Sequence, residues 1–178
     1  MINKKMEDAL NQQINEEMYS AYLYLAMVHY FEKMNLKGFA HWFMTQVQEE
    51  MLHTMKFRKY IADRGGEVTL KAINEPDHSW ESPLALCDAA LHHEFHITKC
   101  INDLMDLAIA EKDHATRSLL NWYVDEQVEE EDNFTQLVEK LKMIEDNKSM
   151  LLIMDTEMQQ RMPGLNPFFP PPAPAPAA

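Results

Sequence analysis

The sequence predicts an all-α fold: a bundle of four long helices with one long crossover between the second and the third, followed by a short fifth helix. Three observations lead to this prediction. Apolar residues recur at steps of three and four through four long stretches, as they do on the buried face of a helix. Glycine is scarce, with four residues in 178, and no stretch alternates polar and apolar residues over any length. One connection between the long stretches is also much longer than the other two.

The first two helices are predicted to form an antiparallel pair. Helix α1 is expected over residues 5–33, and helix α2 lies within residues 39–64, a run that contains neither glycine nor proline. The link between them, residues 35–38, is too short for α2 to run in the same direction as α1. The two helices must therefore lie side by side in opposite directions.

The connection between α2 and the third helix, α3, is predicted to be a crossover. We expect α2 to end at Gly65 and Gly66, and α3 to begin at Ser82, an N-cap residue, followed by Pro83. A helix of the length of α2 spans roughly 40 Å, and the roughly 15 residues of the connection reach roughly 50 Å when extended. The connection can therefore run the full length of the bundle, which leaves α3 parallel to α2.

The rest of the chain is predicted to hold α4, a short α5 and a separate tail. A turn at residues 112–113 precedes α4, which ends near residue 146, and α5 follows over residues 148–160. One side of α5 carries four apolar residues, Met150, Leu151, Met154 and Met158. We expect another subunit to cover this side. Residues 1–161 form one domain, whereas residues 162–178 hold seven of the nine prolines and are predicted to be polyproline II or disordered.

The composition limits the classes of partner. The formal net charge is −13, from 16 basic and 29 acidic residues, which argues against nucleic acid and against an anionic membrane surface. The sequence has no apolar run long enough to span a membrane. Cys87 and Cys100 fall on the predicted α3 roughly 20 Å apart, too far to pair with each other. Two unpaired cysteines fit a reducing compartment, and we expect the cytoplasm.

Polar residues interrupt the apolar face of every long helix. They are Glu17 in α1, Glu50 and His53 in α2, Glu94 in α3, and Gln127 and Glu130 in α4. The spacing from Glu17 to Glu50, 33 residues, recurs from Glu94 to Gln127, and His53 and Glu130 are 77 residues apart, as are Glu17 and Glu94. Taken alone, a Glu-x-x-His pair on a core-facing stripe is better explained as a structural ion pair. The repeat reverses that preference, because four helices then place polar groups at matching heights in one core.

Such a layer of polar residues favours a pair of metal ions. Buried glutamates are costly unless cations neutralise them. Carboxylates with one imidazole and no thiolate exclude a cysteine-type zinc or iron–sulfur site and favour iron or manganese. Two metals roughly 3.5–4 Å apart, bridged by a carboxylate, are usual in paired sites. Glu50 is the best candidate for the bridge, because His53 and the partner helices flank it.

Further acids on α4 raise the question of a third site. Six acids fall within the eight residues 125–132, and three of them, Asp125, Glu131 and Asp132, are expected to form a solvated face. Glu126 and Glu129 flank the core stripe, as Glu49 does on α2. These three are candidates for a third, weaker metal site beside the pair, although their spacing alone fits a solvated face equally well.

The chain resembles the bacterial non-haem ferritins of the ferritin-like di-iron superfamily over about residues 1–160. The residues that carry the resemblance are Glu17, Tyr24, Glu49-Glu50-Met51-x-His53, Glu94, Trp122 and Glu126-Gln127-x-x-Glu130. The resemblance implies a ferritin-like fold and an iron-storage protein that forms a shell of 24 copies. It also implies a ferroxidase, which oxidises Fe(II) with oxygen or hydrogen peroxide at a di-iron centre in each bundle and deposits ferric oxide inside the shell.

The same resemblance implies a role for each motif residue. One iron would bind Glu17, Glu50 and His53, a second Glu50, Glu94 and Glu130, and a third Glu49, Glu126, Glu129 and Glu130, with Gln127 beside the pair. Tyr24 would donate a hydrogen bond behind the ligands and an electron to oxygen; without the resemblance, an ordinary core tyrosine is the better explanation. Haem is not expected. Met51 stands where bacterioferritins carry a haem-ligating methionine, but Glu130 replaces the histidine of their fourth-helix Glu-x-x-His motif.

Overall fold

The computed structural model describes residues 1–161, and the predicted tail, residues 162–178, lies outside them. The described part contains no strand and five helices: α1 Lys4–Lys33, α2 Lys37–Asp63, α3 Pro83–Ala110, α4 His114–Ile144 and α5 Lys148–Met158. The predicted all-α fold is confirmed, and each helix begins and ends near its predicted bounds. Within residues 1–161 no helix is both long and apolar enough to cross a membrane.

Local side chains explain where four of the helices begin. Asn3, Ser82, Asp113 and Asn147 precede α1, α3, α4 and α5, and each accepts a hydrogen bond from a backbone N–H in the first turn of its helix. The short turns after α1 and α3 each contain a residue with positive φ, Asn35 at 58° and Lys112 at 55°. These left-handed residues end one helix and reverse the chain for the next.

The crossover between α2 and α3 lies along α1. Asn11 Nδ2 donates to the backbone carbonyl of Glu67 at 2.9 Å, and Asn15 Nδ2, one turn further along α1, donates to that of Ala72 at 3.1 Å. The crossover therefore runs in the direction of α1, from the end of the bundle where α2 stops to the opposite end. This path leaves α3 parallel to α2, as the length of the connection predicted.

A polar layer divides the core of the bundle into two apolar clusters. One cluster includes residues 23–31 of α1 and residues 36–43 at the start of α2. The other includes residues 2–14 at the start of α1 and residues 57–61 near the end of α2. The buried polar residues in between come from all four long helices: Glu17, Gln46, Glu50, His53, Glu94, Gln127 and Glu130. Packed aromatic and aliphatic side chains therefore cover this layer on both sides.

Helix α5 docks on the start of α2 through Asp155. Its Oδ1 accepts hydrogen bonds from the backbone N–H groups of Gly38 at 2.8 Å and Phe39 at 2.9 Å. The approach is so close that a Cβ atom on Gly38 would lie 1.6 Å from the carbonyl oxygen of Asp155. Leu36, the N-cap residue of α2, offers no capping side chain. Asp155 therefore caps α2 from a distant part of the sequence.

The partner of the apolar side of α5 differs from the prediction. Leu151, Met154 and Met158 pack against the bundle of their own chain. Met150, the fourth residue of the predicted stripe, is 43% exposed, and Leu152 and Ile153 are 59% and 53% exposed. The apolar stripe itself was predicted correctly, but periodicity alone cannot show that the turn after α4 folds α5 back onto α2.

Candidate metal centre

Three side chains from α1 and α2 meet in the polar layer. His53 Nδ1 lies 3.4 Å from Glu50 Oε2 and 3.6 Å from Glu17 Oε2. Each of these three buried residues offers one ligand atom, and the three atoms lie within 4.8 Å of one another. Glu50 and His53 face inward together because residues three apart share a helix face. The antiparallel packing of α1 against α2 then brings Glu17 opposite them.

Neighbouring residues hold this group of three in place. Gln13, one turn before Glu17, donates from Nε2 to Glu17 Oε1 at 2.9 Å. The Tyr123 hydroxyl donates to the backbone carbonyl of His53 at 2.8 Å, and Trp122 packs edge-on against the imidazole with 5.5 Å between ring centroids. Glu17 Oε2 is buried and has no hydrogen-bond partner among the described residues. A bound cation would satisfy this oxygen.

Glu94 of α3 lies in the same layer, outside the group of three. The Tyr24 hydroxyl donates to Oε1 of Glu94 in a short hydrogen bond, and Gln127 Nε2 donates to Oε2 at 3.1 Å. Burial and then the charge of Glu94 raise the pKa of Glu50. The two carboxyl groups are therefore close enough to interact, although Glu94 is turned toward Tyr24 and Gln127.

Glu130 of α4 is held by Gln46 of α2. Gln46 Nε2 donates to Glu130 Oε2 at 2.8 Å, and Gln46 Oε1 is buried with no hydrogen-bond partner in residues 1–161. Burial and the charges of Glu94 and Glu49 raise the pKa of Glu130 to about 8. Like Glu94, Glu130 is not part of the group of three. The ionisable groups of the layer are thus the group of three and two further carboxyls, each held by other side chains.

Protons reduce the charge of the group of three. Burial disfavours the ionised form of Glu50, and the charges of Glu94 and Glu17 add to this effect, so its pKa lies well above the usual range. Burial also opposes the charged form of His53, but Glu17 and Glu50 outweigh it and raise the pKa of His53 well above its ordinary value. For Glu17, burial is again the largest influence. The neighbouring imidazole of His53 and its charge, with a hydrogen bond from Gln13, overcome this effect and lower the pKa of Glu17.

The donor set fits a hard divalent or trivalent cation. The layer offers four buried carboxyl groups and one imidazole from Glu17, Glu50, His53, Glu94 and Glu130. Carboxylate with imidazole suits iron and manganese. A cation would replace the protons on these groups and pair with the Glu17 oxygen that lacks a partner. Residues 1–161 contain no second group of three such ligands at this spacing.

The acids predicted for a third site lie at the edge of the layer. Glu49 and Glu126 are half-buried, and Glu129 is exposed. Burial raises the pKa of Glu49, and the charges of Glu126 and Glu129 raise it further, so the three acids interact. The carboxylate of Glu49 also accepts a hydrogen bond from Arg161 at 2.7 Å. In the described part of the chain these acids do not form a compact ligand group.

Four residues that contact the predicted ligands were not assigned to the site from the sequence: Gln13, Gln46, Tyr123 and Arg161. For the two glutamines a signal exists, because each lies four residues before a predicted ligand on the same helix face. Arg161 is 112 residues from Glu49, and no local pattern connects the two.

Comparison with known proteins shows which chains are similar to this one. A family model described as a ferritin-like domain matches residues 7–144. A bacterial non-heme ferritin of Bacteroides fragilis is 40% identical over 161 residues, which cover 90% of this chain and 100% of the relative. A bacterial non-heme ferritin of Staphylococcus saprophyticus is 38% identical over 161 residues, which cover 90% of this chain and 96% of the relative. Among solved structures, an open pore ferritin from Archaeoglobus fulgidus is 48% identical with a TM-score of 0.90, covering 91% of this chain and 100% of that one.

Proposed function

The chain belongs to the ferritin family, and from this membership we propose that it oxidises Fe(II) with oxygen and stores the ferric product inside a shell of identical subunits. Membership of the family supports the iron-storage part. The observation that carries the oxidation part is the buried group of Glu17, Glu50 and His53, whose ligand atoms lie within 4.8 Å of one another. Such a group, enclosed between two apolar clusters, binds cations away from bulk water.

We assign the substrate Fe(II) to two adjacent positions in the polar layer. The first ion would bind Glu17, Glu50 and His53. The second would bind Glu50, Glu94 and Glu130, so Glu50 bridges the two. Electrostatics support a central place for Glu50, because, besides burial, the charges of both Glu94 and Glu17 raise its pKa. Glu94 and Glu130 are each held by hydrogen bonds from other side chains, which limits their movement when iron binds.

Each Fe(II) gives up one electron in the proposed reaction. Two Fe(II) ions reduce one oxygen molecule to hydrogen peroxide with the uptake of two protons, and two more reduce that peroxide to water with two further protons. The protein residues bind the ions side by side and keep bulk water out. Tyr24, whose hydroxyl donates to Glu94, would take the place of one of the four Fe(II) ions by giving one electron to the peroxide and its proton to that carboxylate. A later Fe(II) would return the electron to Tyr24 as the proton returns from Glu94. Gln127 donates a hydrogen bond to the other carboxylate oxygen of Glu94.

A third iron would bind beside the pair, at Glu49, Glu126, Glu129 and Glu130. The mutual effect of the first three charges supports this assignment. Because Glu129 is exposed and Glu126 is only half-buried, their attraction for a cation is screened by water. The third iron is therefore bound more weakly than the pair.

The relationship to ferritins suggests a homo-oligomer, and we propose a shell of 24 subunits. An apolar surface near the end of the bundle supports an interface there. Its members are Met143, Met150, Leu152 and Ile153, which are 79%, 43%, 59% and 53% exposed. A surface of this kind on residues 1–161 is expected to pack against a second copy.

The domain boundary and the compartment complete the proposal. We propose residues 1–161 as the ferritin-like di-iron domain and residues 162–178 as an appendage to it. Cys87 and Cys100 are both free thiols, which fits the cytoplasm. Fe(II) and oxygen, or hydrogen peroxide, are the proposed reactants, and haem has no part in the reaction.

The proposal is tested by oxidation of Fe(II) in air, followed by stopped-flow absorbance. Glu50→Ala is expected to slow the initial phase roughly 10- to 100-fold, because the variant loses a ligand shared by both ions. Asp106→Ala removes an exposed acid from α3 and is the matched control, with an unchanged rate expected. A Glu50→Ala protein as fast as wild type would rule out this site as the place of oxidation.

A further inference from the structure

Arg161, which follows α5, is fixed to α2 by three contacts. Its Nη2 donates to Glu49 Oε2 at 2.7 Å. Its guanidinium carbon lies 4.3 Å from the ring centroid of Trp42, and its backbone carbonyl accepts a hydrogen bond from His41 Nε2 at 2.9 Å. The guanidinium is therefore held in position by stacking on Trp42 and by the backbone hydrogen bond, as well as by its ion pair with Glu49.

The ion pair between Arg161 and Glu49 is shielded from solvent. The two side chains are only 18% and 23% exposed. Nη1 of Arg161 is buried and has no hydrogen-bond partner among the described residues. Within residues 1–161, Arg161 is the basic side chain that contacts Glu49. Because the pair is partly desolvated, each charge depends on the other more than it would at an open surface.

Glu49 differs in this respect from the other acids of the proposed third site. Neither Glu126 nor Glu129 forms an ion pair with a basic side chain in the described part of the chain, and Glu129 is exposed to solvent. Glu49 is thus the one acid of the three that a basic side chain contacts directly in residues 1–161, whereas the charge of Lys56 only lowers the pKa of Glu126. It is also the one that comes from the same helix as Glu50 and His53.

We propose that Arg161 is a positioning residue for the third site, which holds Glu49 until a metal cation takes its place. A guanidinium nitrogen at 2.7 Å already uses Oε2 of Glu49. A metal ion on the same carboxylate would bring two positive charges together, and they repel strongly in a shielded site. Iron and Arg161 therefore compete for Glu49. This inference rests on the third site of the proposed function, and it concerns the affinity of that site.

The competition has two consequences. The two sites of the iron pair fill first, because no permanently charged basic side chain has to move away from them. The third site fills only when Fe(II) is abundant enough to displace Arg161. Displacement also frees Arg161 from Glu49, so the end of α5 responds to the filling of the third site. Binding at the third site and docking of Arg161 oppose each other by the same factor.

The inference is tested by titrating Fe(II) without oxygen into the iron-free full-length protein in a calorimeter. Arg161→Gln is expected to leave the two tight binding events unchanged and to strengthen the third roughly tenfold, within the usual range of coupling between sites. Arg58→Gln, an exposed residue of α2 with the same change in net charge, is the control and should leave all three events unchanged.

A second pair of variants separates competition at Glu49 from a general effect on folding. In a Glu49→Gln background, Arg161→Gln should no longer change the third event, because the shared partner is absent. Arg161→Lys keeps the charge but lacks the flat face that stacks on Trp42, and should give an intermediate affinity; it replaces Arg161→Gln if that variant does not fold.

The outcomes distinguish the inference from the proposed function. Third-site affinity that is unchanged or weaker in Arg161→Gln, with normal binding at Glu17, Glu50 and His53, overturns the role of Arg161 alone. Absence of tight Fe(II) binding in the wild-type protein overturns the proposed function itself.

Discussion

At the scale of single residues, binding of iron at the proposed centre would exchange protons for cations. Burial raises the pKa of Glu50, Glu94 and Glu130, and neighbouring carboxylates raise it further. Glu17 and Glu50 raise the pKa of His53 despite its burial. Each raised pKa means that the folded protein holds that proton more tightly than the unfolded chain does. Fe(II) must displace these protons, so its binding is expected to strengthen as pH rises.

The iron-free protein is expected to lose stability as pH rises from about 5 to about 8. The Glu130→Gln variant is expected to lose less stability over the same range. The pKa of Glu130 is about 8 in the folded state, owing to burial and to the charges of Glu94 and Glu49. The unfolded value is roughly 4.3. Protonated Glu130 therefore stabilises the fold below the unfolded pKa, and this contribution of a few kilocalories per mole is lost as pH rises through the folded pKa. His53 acts in the same direction, so the variant keeps part of the dependence.

Calorimetric unfolding in the presence of a chelator, at several pH values, measures this effect. Glu139→Gln, which changes an exposed acid on the same helix, is the control and should follow the wild type. The assignment fails if the unfolding temperature of Glu130→Gln falls with pH as steeply as that of the wild-type protein.

The polar layer was predictable from the sequence because it depends on spacing alone. Steps of three and four place Glu50 and His53 on the core-facing side of α2, and the repeat of 77 residues relates Glu17 to Glu94. The arrangement within the layer was not predictable. Glu94 and Glu130 lie outside the group of three because Tyr24 and Gln46 hold them, and such contacts depend on side-chain rotamers.

At the scale of the helices, the main feature is that α5 completes α2. The first N–H groups of a helix have no acceptor within the helix, and the side chain of Leu36 offers no acceptor. The carboxylate of Asp155 in α5 is the acceptor instead. The sequence predicted both helices but not this link, because a cap is normally sought next to the helix it serves. Gly38 is the one local sign, since its missing side chain permits the close approach.

Asp155→Ala is expected to destabilise the protein by about 1–2 kcal/mol, because two backbone N–H groups lose their acceptor. Asp155→Asn keeps an acceptor oxygen at the same place and should cost much less. Thermal unfolding at a fixed protein concentration measures the difference, and hydrogen exchange of residues 148–158 should show faster opening of α5 in the alanine variant. Equal unfolding temperatures for Asp155→Ala and the wild type would mean that this contact does not secure α5.

At the scale of the whole molecule, the topology follows from one length in the sequence. A connection long enough to cross the bundle predicts that α3 is parallel to α2, and the hydrogen bonds of the crossover to Asn11 and Asn15 show the path it takes. The surfaces that join subunits were harder to predict. Periodicity identified an apolar side of α5, but three of its four residues pack within the chain, and Met150, Leu152 and Ile153 are left exposed.

Residues 162–178 are expected to be dispensable for assembly, whereas the exposed side of α5 is not. The segment holds seven of the nine prolines and offers few large apolar residues besides Phe168 and Phe169, so it has little with which to form a subunit interface. Deleting it should leave a 24-subunit particle by light scattering and change the rates of iron uptake only modestly. Ile153→Glu, which places a charge on the open apolar side of α5, should give smaller particles. Dimers from the deletion, or intact particles from Ile153→Glu, would place the essential contacts elsewhere.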